Sequence, residues 1–192
     1  IFEIKVYGTA SNIALNKPSK ASSEYIDGGK QYYSSLAFDG SSATINGKQS
    51  RWVSNRDYSN DEWIYVDLND VYNISKGVLN WEGNGAKEYK VQVSNDGEEW
   101  IDISHVSDGD GGIDEFSYED VTARYVRMLG IEPGSIYGYS LWEFEVYGTL
   151  HEEPIEPEEN IALNKTSYAS SEFTDPNDGC LLYTSPSPRD TE

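Results

Sequence analysis

Between Trp63 and Tyr147 the apolar positions recur with a period of two over short runs: Trp63–Leu68 (WIYVDL), Gly77–Trp81, Tyr89–Val93 (YKVQV), Trp100–Ile103, Arg124–Met128 (RYVRM) and Leu141–Tyr147 (LWEFEVY). Such alternation sends successive side chains to opposite faces, so each run is predicted as a strand with one face turned to a core. Turn signals separate the runs, among them Asn95-Asp96-Gly97 ahead of Trp100 and the stretch Gly109-Asp110-Gly111-Gly112. No segment sustains a helical period. The prediction is an all-β fold, an antiparallel β-sandwich of about eight strands.

Two strings occur twice. Asn12–Tyr25 (NIALNKPSKASSEY) returns 148 positions later as Asn160–Phe173 (NIALNKTSYASSEF), and Ile1–Thr9 (IFEIKVYGT) returns 140 positions later as Leu141–Thr149 (LWEFEVYGT). The first pair marks the start of a module and the second its end. The offsets differ because the two-residue junction Ala10-Ser11 is matched by the ten-residue junction Leu150–Glu159. Residues 1–9 are therefore predicted to be the last strand of a preceding module, 10–149 a complete module, 150–159 a linker and 160–179 the start of a further module. The linker, LHEEPIEPEE, combines prolines with glutamates. It should be extended and self-repelling, reaching ~30 Å at about 3.1 Å per residue. After Gly179 the repeat fails, and residues 180–192 resemble translated sequencing-adapter read-through, an expected non-native tail, with a divergent continuation of the further module as the alternative. The chain opens inside a strand pattern without a signal peptide, so the parent protein is expected to begin further upstream.

Composition narrows the partners. Lys and Arg number 14 against 34 Asp and Glu, a net charge of −20. Such a field opposes phosphate backbones and anionic lipid headgroups, so neither nucleic acid nor membrane insertion is expected, while neutral sugars, cationic sugars and calcium remain open. The 15 Tyr and 5 Trp suit a rigid β protein with ring-lined surfaces. Cys180 is the only cysteine, so no intrachain disulfide forms and any stapling must come from a metal. A module of ~140 residues buries a self-sufficient core and is expected to be monomeric within its longer chain.

The strings NIALNKP, LAFDG followed by SRWVS, EWIYVDL, VLNWE, YKVQVSNDGEEW, GDGGID, ARYVRM and YGYSLWEFEVYG occur in that order. Together they resemble the discoidin domain, also called the coagulation factor 5/8 C-type domain, especially its bacterial branch, carbohydrate-binding module family 32. Within that branch they are most similar to modules appended to chitosanases and β-1,3-glucan-acting enzymes. The resemblance covers the complete module and both partial repeats. It implies a discoidin-type jelly roll, a structural calcium, sugar binding by loops at one end, and no catalysis by the module itself. It also implies a secreted, bacterial parent that degrades polysaccharide or acts as an adhesin.

Sugar recognition needs a flat ring to cover the C–H face of a pyranose and polar groups to take its hydroxyls or amines. Trp81-Glu82 and Tyr137-Gly138-Tyr139 offer both. Glu24, in the loop after the first strand, resembles a sugar-contacting glutamate of chitosan-binding relatives, and Arg51 is placed near the same face. Glu24, Glu82 and Tyr137 lead this set. Trp81 is open to two readings, contact or core, and Tyr139 could instead cap the sandwich through a buried hydroxyl. Trp52, Trp63 and Trp100 are assigned to the core.

For calcium, which takes about six to eight oxygen ligands, the resemblance implies the carbonyls of Leu36, Ser41 and Trp142, the side chains of Asp39 and Glu143, and Thr44 through its carbonyl and hydroxyl. The metal would tie the first loop to the last strand. The plainer reading is an Asp-Gly turn beside a solvated strand glutamate. Glycosidase chemistry by Glu24 and Glu82 is disfavoured, because paired carboxyl catalysis asks for a cleft around the scissile bond. His105 has no Cys or His neighbour in the sequence to make a zinc site. The ligand is expected to be a polysaccharide or glycan, chitosan- or β-glucan-like or galactose-containing. A lipid-, protein- or cell-adhesive role is the alternative. Glu24, Asp27, Asp57, Asp61 and Glu82 in the candidate loops oppose the lipid form of it.

Overall fold

Two long strands organise the computed structural model of the chain. It describes residues 11–42, 44–45, 48–55, 61–83 and 85–152, with short pieces at 173–174 and 181–182. In chain order the strands are β1 (Ser19–Ala21), β2 (Tyr25–Asp27), β3 (Lys30–Tyr32), β4 (Thr44–Ile45), β5 (Lys48–Gln49), β6 (Trp52–Val53), β7 (Trp63–Trp81), β8 (Ala86–Ser94), β9 (Ile101–Val106), β10 (Ile113–Pro133) and β11 (Ser140–Leu150). All their pairings are antiparallel: a seven-stranded sheet in the order β6-β11-β7-β10-β8-β9 with β1 also on β7, and the separate pairs β2-β3 and β4-β5. The chain divides into units 1–152 and 153–192. In the second, β12 (Phe173–Thr174) pairs with β13 (Leu181–Leu182).

β7 and β10 each serve both layers of the sandwich. The first part of β7 pairs with β1 and with Tyr125–Leu129, while its second part pairs with Ile113–Ala123 and with β11. The ladder shifts register between Ser117 and Val121, and Asn69 (φ 73°) and Asp120 (φ 57°) adopt left-handed backbone near these bends. Irregularities of this kind turn a strand from one layer into the next. They also explain a correction: the runs Trp63–Leu68 and Gly77–Trp81 are one strand, and Arg124–Met128 is the second part of a strand that begins at Ile113. The period of two breaks at the bends, so each half reads as a separate element.

Ile64, Val66 and Leu68 face inward from β7, Tyr89 and Val91 from β8, Val126 and Met128 from β10, and Leu141, Phe144 and Val146 from β11. Trp52 is fully buried, with its indole N–H donating to the Ser23 carbonyl at 3.0 Å. Trp63 and Trp100 are corrected from core to outer face. Trp63 stacks on Tyr65 with centroids 5.5 Å apart, Trp100 packs on Tyr65 at 5.7 Å, and the Arg127 guanidinium lies 4.0 Å from the Trp100 ring. Alternation from Ile64 sends these rings away from the core, where they cover one another.

The expected strand at 1–9 and most of the 150–159 linker lie outside the described residues. So do the expected module start and tail beyond it, apart from β12 and β13, and likewise Asp57.

Candidate functional site

At one end of the sandwich, where β7 ends and β11 begins, a depression of about 410 Å³ opens to solvent. Its lining includes Arg51, Glu82, Gly85, Ser135, Tyr137 and Ser140. Ladder pairs bring these separate stretches together: Leu141 of β11 pairs with Trp52 on one side and Trp81 on the other. Arg51, Glu82 and Ser140 are next to those paired residues in sequence, so the three side chains converge. The Glu82 N–H donates to the Ser140 carbonyl at 3.0 Å and closes the junction.

Arg51 is held on several sides. Its Nη1 is 2.6 Å from Glu82 Oε2 and donates to Ser140 Oγ at 3.1 Å, while Nε and Nη2 both donate to Gln49 Oε1. The guanidinium also lies over the Tyr32 ring at 5.1 Å and the Trp142 ring at 5.5 Å. A planar cation between aromatic faces, with its N–H groups engaged, keeps one orientation. Only 13% of the Arg51 side chain is exposed, so the ion pair is stronger than a fully solvated one. Tyr137 projects at the rim with 59% of its surface open, and Gly138 (φ 77°) makes the turn behind it.

Arg51, Glu82 and Tyr137 thus line one depression. The contacts expected of Trp81 and Tyr139 are corrected: they are 3% and 0% exposed and belong to the core. Trp81 ends the inward-facing set of β7, and its indole N–H donates to Asp114 Oδ2 at 2.8 Å. The Tyr139 ring lies against Gly130, and burial raises its hydroxyl pKa. Glu24 does not line the depression; its Oε1 accepts the Ser34 N–H at 2.8 Å. Gln49, Ser140 and the rings of Tyr32 and Trp142 are functional neighbours that sequence reasoning missed. Gln49 lies near Arg51 in the chain, and Ser140 and Trp142 near Tyr139, whereas Tyr32 carries no such signal, and nothing in the sequence tells which aromatic faces an arginine meets.

A second cluster lies at the loop after Phe38. The Ser41 N–H is shared by Asp39 Oδ1 at 2.9 Å and Glu143 Oε1 at 2.7 Å, and Ser50 Oγ donates to Asp39 Oδ2. Glu143 is 4% exposed, and its Oε2 is buried without a hydrogen-bond partner. Burial pushes its carboxyl up to about 8, against the Ser41 N–H, with the Asp39 carboxylate adding to the rise. Two carboxyls and an unsatisfied buried oxygen fit a cation. Among the described residues no three His, Cys, Asp or Glu side chains gather, so carbonyls and hydroxyls would complete any such shell. Leu36 lies in the 3-10 turn Ser34–Ala37, Thr44 is exposed on β4, and Trp142 turns its ring to Arg51.

The fold and depression define a β-sandwich module with a shallow, loop-built site. A family profile described as the NedA-like, galactose-binding domain of the factor 5/8 C type matches residues 36–128. Chitosan-binding module 1 of a chitosanase/glucanase from Paenibacillus sp. IK-5 is 44% identical, with a TM-score of 0.64 over 72% of this chain and 99% of that chain. Module 2 of the same enzyme, solved in complex with chitotriose, is 39% identical, with a TM-score of 0.63 over 71% of this chain and 100% of that chain. The polysaccharide lyase 8 family protein HylA of Enterococcus faecalis is 30% identical over 132 residues, 64% of this chain. The chain spans only 9% of the length of the curated relatives it matches. The chain belongs to the factor 5/8 C-type, discoidin-like domain family.

Proposed function

We propose that residues 10–149 bind carbohydrate without transforming it and direct a secreted parent protein to a polysaccharide, chitosan- or β-glucan-like or galactose-containing. The observation that carries this reading is the Arg51–Glu82 pair at the foot of an open depression with Tyr137 at its rim. The exposed ring covers the apolar face of a pyranose, while guanidinium and carboxylate present a fixed donor and acceptor to its hydroxyls. A ring burying ~80 Å² contributes about 2 kcal/mol, and a few charge-assisted hydrogen bonds add about 1.5 kcal/mol each before ordering costs, which corresponds to millimolar to tens-of-micromolar affinity. Repeated modules on one chain would raise avidity on a polymer about a hundredfold.

Calcium is part of the proposal. Asp39 and Glu143 would hold it with the carbonyls of Leu36, Ser41 and Trp142 and with Thr44. It would supply charge compensation and a tie between the Asp39 loop and β11, and no chemistry on the sugar.

Affinity electrophoresis of the full chain in gels containing chitosan, laminarin, agarose or a galactan tests the function. Retardation by at least one polymer, without release of reducing ends, is the expected result. Unretarded migration of folded protein in every gel would remove the proposal.

A further inference from the structure

Beneath the depression is a polar contact that the sugar-binding reading does not use. Asp114, at the start of β10, receives two hydrogen bonds on one carboxylate oxygen: Trp81 Nε1–H at 2.8 Å and the Tyr89 hydroxyl at 2.5 Å. The two rings meet edge to face, with centroids 5.1 Å apart and planes at 68°. The indole is therefore held at its N–H by Asp114 and packs against the Tyr89 ring. Its own backbone N–H donates to the Gly112 carbonyl at 2.8 Å, two residues before Asp114.

The indole also touches the wall of the depression at Gly85. Gly85 lies so close that a Cβ built there would come within 2.7 Å of Trp81 Cγ, and its φ of +60° also favours glycine. Glu82, Gly83 and Gly85 all line the depression, and the Gly85 carbonyl accepts the N–H of Gly134, just before Ser135 of the opposite wall. A glycine backbone packed this closely against a ring takes its position from that ring, with no side chain to absorb a shift.

We propose that Asp114 is a positioning residue for the carbohydrate site. It acts through the Trp81 ring to set the Glu82–Gly85 backbone, and so the place of the Glu82 carboxylate opposite Arg51, without touching ligand. The proposal rests on the carbohydrate-binding reading. It adds that a residue on another strand, outside the depression lining, controls affinity.

The test compares variants of the full chain by affinity electrophoresis in the polymer that retards the parent chain most among chitosan, laminarin, agarose and a galactan. Thermal unfolding is followed in parallel. Asp114→Ala is expected to weaken binding about tenfold, Trp81→Phe, which keeps a ring but loses the N–H, by a similar factor, and the double variant by no more than either. Asp114→Asn keeps an oxygen acceptor and should recover most of the affinity. Ile74→Ala, a core truncation earlier in β7 than Trp81 and outside the depression lining, should lower Tm while leaving retardation intact. Additive losses, undiminished binding by Asp114→Ala, or an equal loss in Ile74→Ala would each overturn the positioning role while leaving the binding function standing. A parent chain that no polymer retards would overturn both.

Discussion

Arg51 and Glu82, 31 positions apart in the chain, meet at 2.6 Å because β11 pairs on one flank with β6, next to Arg51, and on the other with the end of β7, next to Glu82. The pair is fixed before any ligand arrives. Pre-organised polar groups lose little entropy on binding, which suits a module whose affinity comes from few contacts.

Removing either partner should therefore affect binding more than stability. Glu82→Ala leaves Arg51 with Ser140, Gln49 and two rings but without its carboxylate, and Arg51→Ala leaves Glu82 unpaired. Loss of about ten- to a hundredfold in affinity is expected from each, by titration calorimetry with the best-retarding polymer. Wild-type affinity in both variants would place the site elsewhere.

Tyr137 and Tyr139 should separate binding from folding although one residue lies between them. Tyr137→Ala removes an exposed ring and should weaken binding about ten- to thirtyfold at unchanged Tm. Tyr139→Ala empties a fully buried site and should cost about 3–5 kcal/mol of stability. Denaturant unfolding of the two variants side by side checks both halves.

Gly130 gives an independent test of the Tyr139 packing. A Cβ at this position would come within 2.3 Å of the Tyr139 ring. Gly130→Ala should accordingly destabilise the sandwich by roughly 1–3 kcal/mol through overpacking. Shortening the facing side chain by Tyr139→Leu in the same chain should recover part of that loss, and no recovery would refute the contact.

Glu143 predicts a pH dependence for the metal-free protein. Its folded carboxyl, raised by burial to about 8, keeps a proton that the unfolded chain releases in the ordinary carboxylate range. Stability is thus full below that range and falls as pH rises toward about 8, by up to roughly 1.4 kcal/mol per pH unit. Thermal unfolding in EDTA at pH 5, 7 and 8.5 should show Tm declining in that order, with Glu143→Gln flattening the trend. Added Ca²⁺ should raise Tm most at pH 8.5, where proton competition for the carboxylate is weakest of the three. A Tm insensitive to both pH and Ca²⁺ would remove the cation from the proposal.

Much of this architecture is legible in the chain because alternation is a local property. Trp63–Leu68, Tyr89–Val93 and Leu141–Tyr147 announce strands through the side chains that must leave water. The ordered strings from NIALNKP to YGYSLWEFEVYG carry the family, and Glu82 and Tyr137 stand out as a carboxylate and a ring in turn-rich surroundings. Alternation says which residues share a face and leaves open which face is covered. For that reason Trp63 and Trp100 read as core although they stack outside it, and Trp81 and Tyr139 stay open between contact and core until burial assigns them to the core.

The amino-acid order by itself determined the strands and the family, since both follow from side chains close together in sequence. Only the tertiary structure decided that Arg51 faces Glu82 between Tyr32 and Trp142, that Glu24 turns to Ser34 instead, and that Asp114 supports the indole beneath the depression. These contacts join residues from different strands. Their geometry depends on sheet register and on where β7 and β10 bend, and both are set by packing the two layers together.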